Sequence, residues 1–481
     1  MHLVASILLA TNAWAQLPFS LDTTFRTSIQ DQYVNSLALL SSGELLLSGM
    51  IRFPSDLSNR GSARLLQNGQ RDLTFTDFTG GGKLTPWNDG YYVGVGQTLR
   101  RLQGTGQLDP SFISLNAGPY FLSLQGGDYH AYPDGGVLIS GKHTLNDPVR
   151  GFVGNYNLIW FTNTGYLDTT RVHRKGNGVL NKLKELAGGG FIVSGSCTQF
   201  EGVTVDGIFR TDADGVPDTT FHSGVFWGSA RDYLSLPDGR VYIVGNYQTS
   251  HVPNDTLRLG RFLQNGSLDP TFNIPHFTLG TLPNIGGFGP AVARVRPWGL
   301  GQLLVTGQFQ YVNGLPRRGI CVMDTTGVLT DDLDDCGVST FTYFGITNAS
   351  VHGLVTDSDS THYYIWGTYT GYSDGVTNDP LQRFVTRLHV GDFTTGTASL
   401  SSGEGLGVRL YPNPSSGPVT LALEHVPQDA TLVVRDALGR EVQRQRVANH
   451  YTTLTLARSG MYVVELWDGR SRLAAQRMMV E

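Results

Sequence analysis

Short apolar runs recur along most of the chain, each opened by a turn and closed by a glycine. They read SSGELLLSG (41–49), NDGYYVGVG (88–96), PDGGVLISG (133–141), GGGFIVSG (188–195), PDGRVYIVG (237–245), WGLGQLLVTG (298–307) and DSDSTHYYIWG (357–367). Runs of this length, rich in Val, Ile, Leu and Tyr and cut by Gly, Asn and Asp, predict strands rather than helices. A second pattern interleaves with the first: LLQNGQRDLTF (65–75), LQGTGQLDPSF (102–112), FTNTGYLDTTR (161–171), TDADGVPDTTF (211–221), LQNGSLDPTFN (263–273) and a worn copy, MDTTGVLTDDL (323–333). A motif written this often is architecture, because a chain rarely needs one active site six times.

Each period reads as four strands. Strand one precedes the PDG-type turn, strand two follows it, strand three runs into the NG-type turn, and strand four is the short LD-x-T-F. Turns of this composition tolerate the positive φ that tight hairpins need. In LD-x-T-F the Asp carboxylate is placed to accept its own downstream N–H, helped by the Thr or Ser two residues on. Seven such periods predict an all-β fold, a seven-bladed β-propeller of four-stranded blades spanning 16–390. The last period ends at Val390-Gly391 without its fourth strand, while an orphan LDTTF stands at 21–25. Leu21, Asp22 and Phe25 are therefore expected to close the ring by pairing with 383–390.

After residue 390 the pattern changes. GDFTTGTASLSSGEGLG (391–407) has the composition of a flexible linker. Residues 408–481 then carry about seven short apolar segments between turn signals, the pattern of a small Ig-like β-sandwich. Lys is absent there and nine Arg appear.

Composition narrows the function classes. Glu occurs only at Glu44, Glu185 and Glu201 before residue 400, which speaks against long amphipathic helices. Net charge is −5 and the sequence shows no basic run, so nucleic-acid binding is not expected. Leu3 to Ala10 is apolar, and Ala13-Trp14-Ala15 fits a cleavage site, so residues 1–15 read as a signal peptide cut between Ala15 and Gln16. No later segment is apolar for long enough to span a membrane. Of three cysteines, Cys321 and Cys336 could pair outside the cytosol; the alternative is that all three are buried or idle thiols.

The repeats resemble the bacterial delta-60 repeat family, on GQFQYVNGLPRRGICVMDTTG (307–327), LQNGSLDPTF (263–272) and PDGRVYIVG (237–245). The resemblance covers about 20–390. It departs in period three, where Arg171 stands for Phe, and in period six, where Thr330 and Leu333 replace Asp and Phe. It implies a propeller-like extracytoplasmic repeat protein and brings no catalytic residues. The C-terminal segment resembles a type IX secretion system sorting domain of type A, as found in Bacteroidota. The residues that carry this are Tyr411-Pro412-Asn413-Pro414, the turn from Asp436 through Gly439 to Arg440, Gly460 and Tyr462 in SGMYV, and the terminal RMMVE. That resemblance implies Sec export, passage across the outer membrane by the type IX machinery through 408–481, and a secreted or cell-surface location.

Candidate chemistry mostly dissolves into the repeat register. Asp212 and Asp214 look like part of a calcium loop but align with the QNG turns. Asp128 and His130 could form an acid–base pair, yet they align with Asp232 and Leu234. No catalytic, cofactor or metal residues are expected. Both tight turns of a period fall on one face, so ligands are expected on the opposite, long-loop face, at 113–127, 142–157, 222–231, 246–258, 273–291, 308–318, 334–350 and 368–382. The candidate ligand residues there are Tyr120, Phe121, Phe226, Trp227, Tyr343 and Phe344; Tyr247, Phe309 and Tyr369 are expected to be packing. The expected function is a non-catalytic binding or adhesion scaffold for glycan or protein. The alternatives are a polysaccharide-active propeller enzyme, hydrolase or lyase, and a purely structural surface component.

Overall fold

The computed structural model describes residues 18–390 and 409–480, apart from 78–79, 96–97, 116–119, 187, 237, 283–288, 299–300, 358, 360, 412–417, 423–425, 427–429, 437–438, 448, 450, 457, 459 and 469–470. The expected signal peptide with Ala15 and Gln16, the linker, and Pro412, Asn413 and Pro414 lie outside the described residues.

Among the described residues every regular element is a strand. Between Asp31 and His389 the chain forms successive antiparallel units of three strands. Unit one is Asp31–Leu39, Leu45–Arg52 and Arg60–Leu65, and unit two is Leu84–Trp87, Gly90–Val95 and Thr98–Leu102. Unit three is Phe121–Ala131, Val137–Asp147 and Phe152–Phe161; unit four is Leu180–Glu185, Phe191–Gly195 and Ile208–Thr211. Unit five is Val225–Ser235, Val241–Thr249 and Val252–Phe262; unit six is Ala291–Trp298, Gln302–Gln308 and Ile320–Asp324. Unit seven is Ser350–Thr356, His362–Asp374 and Asn378–His389. First strands of successive units lie next to one another, except between units two and three, where Gly90–Val95 meets Phe121–Ala131, and the first strand of unit seven lies beside that of unit one. Apolar clusters span neighbouring units: Tyr242, Leu259 and Phe272 of unit five pack with Val292, Val295 and Leu303 of unit six.

The expected fourth strand shrinks to a single bridge: Leu65 to Arg71, Leu102 to Leu108, Phe161 to Leu167, Thr211 to Pro217, Phe262 to Leu268 and Met323 to Leu329. The motif Asp ends it. Asp72 Oδ1 accepts both the amide (2.8 Å) and the hydroxyl (2.7 Å) of Thr74, which turns the chain away from the sheet. Leu21 makes the corresponding bridge to Leu388. The NG-type turns are three-residue loops: Leu66 N–H donates to Gln70 O at 2.8 Å, and Gly69 N–H donates to Leu66 O at 2.8 Å with Gly69 at φ 88°.

An arginine eight residues before the motif Asp locks the corners of units one, two and five. Arg261 Nε donates to Asp269 Oδ2 at 2.7 Å, and its guanidinium lies 5.4 Å from the Phe272 ring centre. Its Nη1 reaches the Thr325 carbonyl in the turn of the next unit at 2.5 Å. Arg64 does the same with Asp72, Phe75 and Thr105, and Arg101 with Asp109, Phe112 and Asn163. Arg387 does it with Asp22, Phe25 and Gln67, joining unit seven to the N-terminal segment and unit one. Unit three inverts the pair: Trp160 holds the Arg place and Arg171 the Phe place, 5.8 Å apart, and Arg171 bonds Asp214 of unit four.

Three of the expected long loops are instead strands. Residues 142–157, 246–258 and 368–382 mostly extend the hairpins of units three, five and seven, closed by turns near 148–151, 250–251 and 375–377. Their alternation of apolar and polar residues continues past the closing glycine, and backbone pairing such as Leu145 to Gly154 continues with it.

The C-terminal part has two sheets. Arg409–Tyr411, Val419–Ala422 and Tyr451–Leu454 form one; Ala430–Asp436, Glu441–Arg446, Gly460–Asp468 and Ser471–Val480 form the other. Val419, Leu421 and Leu454 of the first share a core with Leu432, Val434, Val464 and Leu466 of the second.

Candidate functional site

The glycine that closes each apolar run shapes the interior. Opposite it the first strand carries a β-bulge, between Val34 and Ser36, Leu180 and Lys182, Ala230 and Asp232, Val292 and Arg294, and Val351 and Gly353. A Cβ on Gly195 would sit 1.9 Å from Val179 O, and one on Gly307 would sit 2.3 Å from Ala291 O. Only glycine leaves room for the bulged carbonyl.

Residues at and just after the bulge line a cavity of about 1550 Å³ whose mouth is formed by strand one–two turns, including Ser41–Gly43 and Asn88. Its floor carries a belt of opposed charges from successive units. Asp128 of unit three sits between Lys83 of unit two (2.6 Å) and Lys182 of unit four (2.5 Å). Asp232 of unit five sits between Lys184 of unit four (3.0 Å) and Arg296 of unit six (2.9 Å). Burial pushes the Asp128 carboxyl up, but the charges of Lys182 and Lys83 outweigh it and hold it far below the usual range. Asp232 is likewise held low against burial by Arg296, Lys184 and Arg294. Lys83 and Lys184 are pushed down chiefly by burial, with neighbouring cations adding to it.

Asp128 and His130, which the sequence could have paired but for their place in the repeat register, do not bond one another. Asp128 is held by the two lysines, while His130 lies edge-on to Tyr132 and Phe191 with Nε2 3.8 Å from Glu185. The sequence shows no basic run here because the cations of this belt come from three separate repeats. The signal was their shared register place in strand one. Asp212 Oδ1 accepts the amides of Asp214 (3.0 Å) and Val216 (2.8 Å), so its carboxylate serves a turn.

The candidate ligand residues divide. Tyr120, Phe226, Trp227 and Phe344 are exposed, Trp227 at 51%. Tyr120 abuts the first strand of unit three at its end away from the tight turns, and Phe226 and Trp227 hold the like place in unit five. Phe121 packs edge-on against Phe161 and beside His143, and Tyr343 accepts a hydrogen bond from Gln32 Nε2 at 2.9 Å. Tyr247, Phe309 and Tyr369 are fully buried. All three cysteines are free and buried, so Cys321 and Cys336 are not paired.

At the chain ends Leu21 bridges Leu388, Asp22 takes Arg387 Nε at 2.7 Å, and the Phe25 ring packs on Tyr364. Asp22, His362 and His389 bring possible ligand atoms within 4.8 Å of one another. Asp22 is already committed to Arg387 and Thr24, and His362 Nδ1 lies 3.0 Å from Asp357. In unit five Arg240 holds the place of His362 and lies 3.6 Å from Asp269, the counterpart of Asp22.

In the C-terminal part, Asp436 N–H donates to Arg440 O and Gly439 N–H to Asp436 O, both at 2.9 Å, with Gly439 at φ 77°. Gly460 opens a strand at φ 149°, Tyr411 ends one, and buried Tyr462 donates its hydroxyl to Arg458 O at 2.8 Å.

Two families match the chain. Residues 409–481 match the secretion system C-terminal sorting domain, and 191–221 with 236–272 match a domain of unknown function (DUF5122) beta-propeller. No curated protein matches. Among solved structures, the extracellular domain of BT4673 from B. thetaiotaomicron is 11% identical with a TM-score of 0.40, covering 97% of this chain and 59% of that one. The chain therefore spans about 59% of that protein's length. PorZ, a surface component of the type-IX secretion system of Porphyromonas gingivalis, is 12% identical with a TM-score of 0.28, covering 93% and 81%. The GH74 xyloglucanase from Xanthomonas campestris is 12% identical with a TM-score of 0.36, covering 96% and 68%. Likenesses this distant bear on neither activity nor ligand. No helix among the described residues is long and apolar enough to cross a membrane. The chain is a β-propeller repeat protein carrying a type IX secretion sorting domain, the mark of proteins exported to the cell surface or secreted.

Proposed function

We propose that this chain is a surface-displayed or released binding scaffold without catalysis: a seven-bladed propeller over 16–390, a linker at 391–407 and an Ig-like sorting module at 408–481. The Leu21–Leu388 bridge and the Arg387–Asp22 pair support closure of the ring by the N-terminal segment. The single observation that carries the non-catalytic reading is the state of the belt carboxylates. Asp128 and Asp232 are each spent on two cations, which leaves neither as a free acid or base.

The test is to incubate the purified full chain with a panel of neutral and acidic polysaccharides. Retention in affinity electrophoresis and formation of new reducing or unsaturated ends are read together. Retention without new ends supports a scaffold; new ends that appear with time and enzyme concentration overturn it in favour of a hydrolase or lyase.

A further inference from the structure

The belt is not balanced. Lys83, Lys182, Lys184, Arg294 and Arg296 line the cavity floor against Asp128 and Asp232, an excess of three positive charges. Both carboxylates are already shared by the other four cations. Arg294 has no carboxylate partner among the described residues; its Nη1 donates only to Ala293 O at 3.1 Å and Arg231 O at 3.4 Å. Its charge helps hold Asp232 low from beyond ion-pair distance, and it also bears on the cations Lys83, Lys184 and Arg231 and on His352. The acids of the mouth, Glu44, Asp89, Asp357 and Asp359, sit on the strand one–two turns above the floor.

A guanidinium without an ion pair of its own, among other cations at the base of a cavity with low-dielectric walls, carries an electrostatic cost that an anion removes. Arg also offers a planar fork that matches oxyanions in two-point contact. We propose that the cavity floor binds a small ligand bearing several oxyanion groups, seated on Arg294 with Lys83 and Lys182. This deepens the scaffold reading above and rests on it. The oxyanions can come from an acidic oligosaccharide or from a phosphorylated small molecule, and the cavity has room for either.

The test uses the full chain in isothermal titration with three probes: trigalacturonate, inorganic tripolyphosphate and a neutral galactose trisaccharide. Expected is binding of one or both anionic probes that weakens at least tenfold between 50 and 500 mM salt, about the loss that a single released counterion gives. Arg294→Gln should weaken it at least tenfold, while Arg150→Gln, on a turn outside the cavity, leaves it unchanged. Arg294 spends no ion pair on the fold, so its variant should melt as the parent does; if it does not, Lys182→Gln is read in its place. Preference for trigalacturonate or tripolyphosphate identifies the source of the anion. Equal binding of the neutral trisaccharide, or anion binding untouched by both variants, overturns the anion site and leaves the scaffold reading standing. New reducing ends from trigalacturonate would instead overturn the scaffold reading.

Discussion

Arg261 and Asp269 face each other with Nε 2.7 Å from Oδ2, both nearly sealed from solvent, and the same guanidinium reaches the neighbouring unit's Thr325 carbonyl at 2.5 Å. One side chain thus caps its own strand end, stacks on Phe272 and holds the next unit. Arg261→Ala takes the hydrogen-bonded cation from a buried carboxylate, leaving it only Arg240 at 3.6 Å, and should cost about 3 kcal/mol. Arg261→Met with Asp269→Leu should recover much of that, because it removes both charges together. Urea denaturation of the three variants checks it.

Unit three carries the same contact inverted, with Trp160 and Arg171 exchanged. Arg171→Phe alone removes the cation that stacks on Trp160 and bonds Asp214. It should destabilise by about 1–2 kcal/mol. Adding Trp160→Arg restores the pattern of the other units and should return most of that loss, a coupling that a double-mutant cycle measures.

The motif carboxylates make stability fall in acid. Burial pushes Asp22, Asp109 and Asp269 up, but hydrogen bonds from the Thr or Ser two residues on, and the paired arginine, hold them below the usual value; the Thr74 hydroxyl leads for Asp72. A carboxyl lowered in the fold stabilises fully above its unfolded pKa of about 3.9 and loses that stabilisation as pH drops toward its folded value. Melting temperature should therefore hold steady from neutrality to about pH 5 and drop steeply below pH 4.

Gly307→Ala tests the bulge without changing any charge. The new methyl meets Ala291 O, so the first strand must shift, at about 1–3 kcal/mol. That strand carries Arg294 and Arg296. The variant should lose anion affinity as well as stability, seen by titration beside a melt.

Burial pushes the Cys336 thiol up to about 12, and Cys321 further still. Iodoacetamide at pH 8 should leave Cys321 and Cys336 unmodified in the native chain and alkylate both in denaturant, read by intact mass.

Repetition made the strands, the turns and the use of Leu21–Phe25 legible, because a turn glycine or a motif Asp means the same thing at each occurrence. The Arg–Asp–Phe corner also recurs, but its arginine lies eight residues upstream of the Asp, outside the LD-x-T-F motif, and is replaced at Trp160 and Val322. The belt was harder to see. Lys83, Asp128, Lys182, Asp232 and Arg294 share a register place but not a residue type, so only the three-dimensional arrangement shows them as one feature. The long hairpins of units three, five and seven were missed because their polar, twisted outer halves have the composition of loops.

One corner lacks its arginine altogether. Val322 holds the Arg place in unit six, with Thr330 and Leu333 in the Asp and Phe places. The turn such an arginine would reach belongs to unit seven, where strand three ends at His389 and Leu21 of the N-terminal segment bridges Leu388. The link is made by main chain instead: Gln308 bridges Ser350, Arg318 bridges Gly337, and Cys336–Ser339 pairs with the far end of His362–Asp374. The joint beside the chain ends therefore does not depend on any one side chain. Sequence drift can erode each of the other corners one residue at a time, but this one only by moving the backbone.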